Sequence, residues 1–115
     1  MKLYGIPNCD TVKKARTWLS NNRIEVEFHD FKKHGLSAEL AQQWLNQSSW
    51  EQLINRKGTT WRGLTDEQKA ITNNIAAQNL MLEKTSVIKR PLLERDGKLL
   101  HIGFDEAAYK NIFNL

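Results

Sequence analysis

The sequence predicts an α/β fold with a mixed four-stranded sheet, and three observations carry that expectation. A strand pattern, a helix pattern and a second strand pattern fill the chain as far as Phe31. An Asp96-Gly97 turn separates two apolar runs near the other end. Between these regions, residues 37–84 carry helical patterns and no strand pattern.

The opening run Leu3-Tyr4-Gly5-Ile6 reads as a short buried strand that Pro7-Asn8 terminates. Val12, Ala15, Trp18 and Leu19 then recur at helical spacing, which predicts a helix over residues 10–21. In the stretch Arg23–Phe31, the apolar Ile24, Val26 and Phe28 alternate with polar residues, the period of a half-buried strand. A helix of that length between two such strands implies a parallel βαβ unit with a right-handed crossover. The end of the first strand, with Cys9 just beyond it, then falls at the edge of the sheet where ligands commonly bind.

In the middle, Ser37 is placed to cap a helix carrying Leu40, Trp44 and Leu45. Ser49-x-x-Gln52 and Thr65-x-x-Gln68 both read as capping boxes, and a further helix is expected over residues 73–82. These segments form one helical insertion between two halves of a small sheet, within a single domain spanning residues 1–115. Val87-Ile88 and Arg90-Pro91 then lead into two strands, Leu92–Arg95 and Lys98–Ile102, joined by Asp96-Gly97, a strong hairpin signal. Asp105 is an N-cap for a last helix that turns Ala108, Ile112 and Phe113 inward.

Composition narrows the function classes. A chain of 115 residues can bury a core without staples. Its single cysteine cannot form an internal disulfide, which fits a reducing compartment. No stretch approaches the roughly 20 apolar residues of a membrane span, so a soluble, cytoplasmic monomer with no membrane partner is expected. The formal charge of +4 is dispersed among interleaved acids, which argues for solvated surface rather than a nucleic-acid footprint. His29, His34 and His101 are scattered, none at ligand spacing to Cys9, so no metal site is expected.

Cys9 is the residue with chemistry. A lone cysteine is commonly a small buried hydrophobe, but this one lies between Pro7-Asn8 and Asp10-Thr11, a polar strand-to-helix corner. The first turn of a helix has N–H groups with no internal partner, and its dipole stabilises an anion. A free thiol with a pKa of about 8.5 is only about 3% ionised at neutral pH, and a helix N-terminus with cationic neighbours raises that fraction.

The run Pro7-Asn8-Cys9-Asp10-Thr11-Val12-Lys13-Lys14-Ala15 resembles the active-site corner of the arsenate reductase (ArsC) and Spx family, thioredoxin-like proteins with a helical insertion. Leu53-Ile54-Asn55-Arg56-Lys57-Gly58 and Ile88-Lys89-Arg90-Pro91-Leu92 match two further landmarks, so the resemblance covers essentially the whole chain. It implies a thioredoxin-like fold in the order β-α-β, helical insertion, β-β-α. It also implies Cys9 as nucleophile, Arg56 and Arg90 as anion ligands, and a cis bond before Pro91 facing the cysteine; beside these, Pro91, Lys13 and Thr11 are expected as further substrate contacts. Arginine suits such a role because it stays charged and binds carboxylates or oxyanions bidentately. The branch most resembled is the YffB type, which shares the Gly103-Phe104 ending and for which a glutathione-dependent thiol reductase role has been proposed.

The departures are informative. Where arsenate reductases of this type are expected to carry a third arginine in an Arg-Pro pair, this chain has Gly103-Phe104, and where they have a histidine four residues before the cysteine it has Gly5. The second cysteine of Spx-like redox switches falls at Val12. The resulting expectation is a glutathione-dependent thiol-disulfide oxidoreductase with glutathione as co-substrate, no tightly bound cofactor, and glutaredoxin or thioredoxin as possible further reductants. An arsenate reductase, an Spx-like RNA polymerase-binding regulator without a redox switch, and a glutathione-binding module without turnover stand as alternatives.

Overall fold

The computed structural model describes residues 1–115. In chain order the elements are β1 (Lys2–Gly5), α1 (Asp10–Asn21), β2 (Glu27–Asp30), α2 (Phe31–His34), α3 (Ala38–Gln47), α4 (Trp50–Leu53), α5 (Thr59–Arg62), α6 (Asp66–Lys69), α7 (Asn74–Glu83), β3 (Leu92–Arg95), β4 (Lys98–Ile102) and α8 (Glu106–Ile112). They fall into two compact units, one made of Met1–His34 with Arg90–Leu115 and the other of Gly35–Lys89.

The first unit holds the sheet. Its strand order is β2-β1-β3-β4, with β1 parallel to β2 and antiparallel to β3, and β3 antiparallel to β4. This is the mixed four-stranded sheet of a thioredoxin-like fold. Leu3, opposite Phe28 on one side and Leu93 on the other, lies at the centre. Ala15 and Leu19 of α1 cover it together with Tyr109 of α8, and Trp18, Phe28, Phe104 and Phe113 pack around that nucleus. Each fully buried side chain of this size contributes about 1.5–3 kcal/mol relative to exposure.

The close approach of α1 to β1 depends on Gly5. A Cβ there would lie 2.9 Å from Val12 Cγ2. Asp96 and Gly97 take positive φ of 51° and 81°, the pair that a two-residue turn needs to match the twist of β3 and β4. Tyr109, unremarked in the periodicity of the last helix, is its one fully buried residue. Asp105 does occupy the N-cap position of α8, but its side chain makes no capping hydrogen bond.

The strand expected over Arg23–Phe31 is shorter at both ends, for identifiable reasons. Arg23 takes a left-handed φ of 58°, and its N–H donates to the Ser20 carbonyl while the Ile24 N–H donates to that of Leu19. That pair of bonds closes α1 as a Schellman motif, with Ile24 and Leu19 in its two hydrophobic positions. Residues 23 and 24 therefore cap a helix instead of starting a strand. At the other end Asp30 Oδ1 accepts from the Lys32 N–H at 2.8 Å, which turns the chain into α2 at Phe31.

The second unit, Gly35–Lys89, exceeds the expected 37–84 by a few residues at each end. Ser37 caps α3 by accepting from the Leu40 N–H, and Trp44 is fully buried. The Thr65–Gln68 capping box is complete, whereas at Ser49 only half of one forms, because Gln52 Oε1 instead accepts from the Ser48 hydroxyl at 2.6 Å. Asn73 caps α7 through the Ala76 N–H. The expectation of a stretch without strand pairing needs one correction. Ile54 and Ile88 form an isolated antiparallel bridge, flanked by bonds from the Asn55 N–H to Val87 O and from the Lys89 N–H to Leu53 O. A pairing this short leaves no alternation to read.

Candidate active site at Cys9

The site is built from the join between β1 and α1. After Gly5, the buried Ile6 ends the apolar run and the exposed Pro7-Asn8 turn redirects the chain. Cys9 follows as the N-cap of α1, in extended backbone (φ −100°, ψ 126°), with a half-buried free thiol. Its carbonyl accepts from the Lys13 N–H at 2.9 Å, the first bond of the helix. The sulfur makes no strict capping bond, yet the N–H groups of Val12 and Thr11 face it and favour its anion.

Burial pushes the Cys9 pKa up, and that is the largest single influence. It is outweighed by the Val12 N–H, the Arg90 guanidinium acting through both a hydrogen bond and its charge, and the Thr11 N–H, so the thiol is held below its ordinary value.

Arg90 precedes a cis peptide bond to Pro91. Pro91 is buried, and its carbonyl accepts from the Gly103 N–H at 2.8 Å. Gly103 has a φ of +84°, which favours glycine over any side chain.

Of the residues singled out from sequence, the structure brings Cys9 and Arg90 together, with Thr11 contributing its backbone N–H. Lys13 is exposed one turn along α1 from Cys9. Arg56 belongs to the second unit, where it is exposed and its guanidinium carbon lies 5.5 Å from the Trp50 ring centre. Sequence reasoning missed the Val12 N–H as a contributor. A backbone amide leaves no residue signature, and only the helix start at Asp10 could have pointed to it.

Residues 4–112 match the ArsC family. The chain belongs to that family. Its resemblance to the YffB type is supported by a solved structure of the YFFB (PA3664) protein, 44% identical with a TM-score of 0.89, the match covering 95% of each chain. A solved arsenate reductase (ArsC) related protein from Brucella melitensis is 49% identical, with a TM-score of 0.78, covering 100% of this chain and 97% of that one. Among curated relatives, an uncharacterized protein of Haemophilus influenzae is 41% identical over 111 residues, 96% of each chain. The global transcriptional regulator Spx of Lactiplantibacillus plantarum is 26% identical over 106 residues, 90% of this chain and 79% of its own. This ArsC-family chain thus has relatives bearing both enzyme and regulator names. No helix in it is long and apolar enough to cross a membrane.

Proposed function

We propose that this protein is a single-cysteine thiol-disulfide oxidoreductase that uses glutathione as co-substrate. The observation that carries the reading is the lowered thiol of Cys9 at a helix N-terminus beside Arg90. The Cys9 thiolate attacks one sulfur of a substrate disulfide; a new Cys9 disulfide forms, the substrate S–S bond breaks, and the other half leaves as a thiolate. The chain has no second cysteine to resolve this species. Glutathione thiolate therefore attacks the mixed disulfide and releases Cys9 thiolate, with glutaredoxin or thioredoxin as possible reductants of the product. Arg90 binds a glutathione carboxylate, Lys13 and the Thr11 N–H add to the local positive field, and the glutathione backbone lies beside Pro91. The scheme uses no tightly held cofactor.

The first experiment is the pH dependence of Cys9 alkylation by iodoacetamide, read by intact mass with Cys9→Ser as blank. A plateau at an apparent pKa of about 7 or lower supports the reading. A value near the free thiol's, about 8.5, or labelling only in denaturant, overturns it. Arg90→Ala should shift the profile to higher pH and weaken glutathione binding, with no such change in Arg95→Ala, an exposed arginine of β3. Equal effects at the two positions remove Arg90 from the site.

The similarity to proteins named Spx favours one further reading, a transcriptional regulator. Polymerase subunits copurifying with the chain, together with an unactivated Cys9, would support that reading over the enzyme.

A further inference from the structure

A groove of about 380 Å³ lies along α1 within the first unit, lined by Lys13, Lys14, Thr17, Trp18, Phe104 and Glu106 among others. It starts one helical turn from the reactive thiol. Lys13 and Thr17 are four residues apart and share one face of the helix, each turn advancing about 5.4 Å, and Cys9 is the N-cap one turn before Lys13. The floor is aromatic. Phe104 meets the fully buried Tyr109 edge-on, with ring centres 4.8 Å apart at 88°, and Trp18 meets the same ring at 5.6 Å and 80°. Both floor residues are half-buried and rest against that buried ring. The rim is cationic. Lys13 and Lys14 are exposed, while the one acid, Glu106, has Lys110 at 3.8 Å. A volume of this size suits a small molecule, and the lining suits a planar apolar body that carries a negative charge.

We propose that this groove is the subsite for one half of the disulfide substrate, and that it selects an aromatic thiol bearing a carboxylate. This rests on the exchange reaction proposed for Cys9. The ring lies on Trp18 and Phe104, the carboxylate faces Lys13 and Lys14, and the sulfur is delivered back along α1 to Cys9. In the step itself the Cys9 thiolate bonds to one sulfur of the aryl disulfide. The aryl S–S bond breaks, Cys9 ends oxidised in the mixed disulfide, and one aryl group leaves reduced as its thiolate. Phe104 is then a specificity-determining residue.

The test measures second-order rate constants of Cys9 with three disulfides, each divided by the constant for free glutathione thiolate. The probes are dithiobis(nitrobenzoate), which is aromatic and anionic; dithiodipyridine, aromatic and uncharged at neutral pH; and hydroxyethyl disulfide, aliphatic and neutral. The wild type should prefer dithiobis(nitrobenzoate) over hydroxyethyl disulfide by at least about tenfold after this correction. Phe104→Ala should lower that preference about tenfold, the equivalent of about 1.4 kcal/mol of aromatic contact. Because Phe104 also packs on Tyr109, Thr17→Glu provides the second variant. It adds a carboxylate at an exposed helix position and should slow dithiobis(nitrobenzoate) severalfold more than dithiodipyridine. Wild-type selectivity retained in both folded variants overturns the subsite while leaving the exchange reaction standing. So does a fast Cys9 with no preference among the probes. Reaction no faster than glutathione with all three probes overturns both proposals.

Discussion

Replacing Gly5 with alanine tests whether the spacing of α1 from β1 is set by direct contact. The new methyl would stand 2.9 Å from Val12 Cγ2, 3.5 Å from Val12 Cγ1 and 3.8 Å from Phe28 Cε1. Val12 is fully buried, and a β-branched residue in a helix has essentially one rotamer, so its methyls cannot swing aside. Overpacking of this kind costs about 1–3 kcal/mol, and the reduced freedom of the unfolded chain returns about 0.4–1 kcal/mol. The expected net loss for Gly5→Ala is about 1–2 kcal/mol. Val12→Ala alone should lose about 2 kcal/mol through the cavity it leaves. In the double variant the methyl introduced by Gly5→Ala enters the space vacated by Val12, and the combined loss should fall short of the sum by about 1 kcal/mol. Urea unfolding with unchanged m-values provides the four stabilities. Gly5→Ala as stable as the wild type, or a cycle additive to within about 0.3 kcal/mol, would refute the contact. If α1 yields to the clash, the Val12 N–H moves relative to the Cys9 sulfur, and the alkylation profile shifts to higher pH.

Three other expectations concern the same unit. Tyr109 is fully buried and its hydroxyl has no hydrogen-bond partner in the protein, with burial pushing its pKa up; Tyr109→Phe should therefore stabilise the fold by about 1 kcal/mol in urea unfolding, and a loss of that size would mean the hydroxyl is satisfied. Burial holds His101 below its ordinary pKa against the opposing charge of Asp105, so the unfolded chain binds the extra proton first. Stability should then fall as pH drops below about 6.5 and level off below the folded-state pKa, and His101→Gln should flatten that slope; an unchanged slope would assign it to other groups. Gly103 has positive φ, and a Cβ added there would meet nothing within 4 Å, so Gly103→Ala and Gly103→Arg should lose the same amount, about 1–2 kcal/mol, and a larger loss for arginine would point to crowding rather than backbone.

What could be read from the sequence depended on whether the physics was local. The helix at Asp10–Asn21 and the Asp96-Gly97 turn follow from spacing and turn chemistry, and both stand where expected. The end of α1 does not, because its cap places arginine rather than glycine in the left-handed position, and Ile24 then looks like the first residue of an alternating strand. One-turn helices such as Thr59–Arg62 are too short for a period, and the Ile54–Ile88 bridge joins residues far apart in sequence. At the site, the strand-to-helix corner identified Cys9 by itself. Arg90 needed the family resemblance, because an arginine before a proline has no local signature of its partner. Phe104 entered only as the second residue of the Gly103-Phe104 pair that stands in place of Arg-Pro, and its place over Tyr109 became visible in three dimensions.

The three departures from the arsenate-reductase and Spx patterns are tied to packing and backbone, which bears on what the site can bind. Gly5 is constrained by Val12 at 2.9 Å from its absent Cβ, so a histidine there requires α1 to move. Gly103 sits at φ +84°, so an arginine there strains the chain that hydrogen-bonds to Pro91. Val12, which stands where Spx-like switches have a second cysteine, is fully buried in α1. Substitution toward histidine at Gly5 or arginine at Gly103 therefore costs more than a side-chain change. An oxyanion with two or three charges needs several converging cations to offset its desolvation. A disulfide is neutral at its sulfurs and needs a thiolate, a nearby cation for its carboxylate, and a surface for the rest of the molecule. Toward the first two, the Cys9 thiol is held below its ordinary pKa and Arg90 stands beside it. The third matches the aromatic groove that Phe104 helps to form. The residue at the second position of the arsenate-type Arg-Pro pair thus supplies apolar surface, as the proposed disulfide exchange requires.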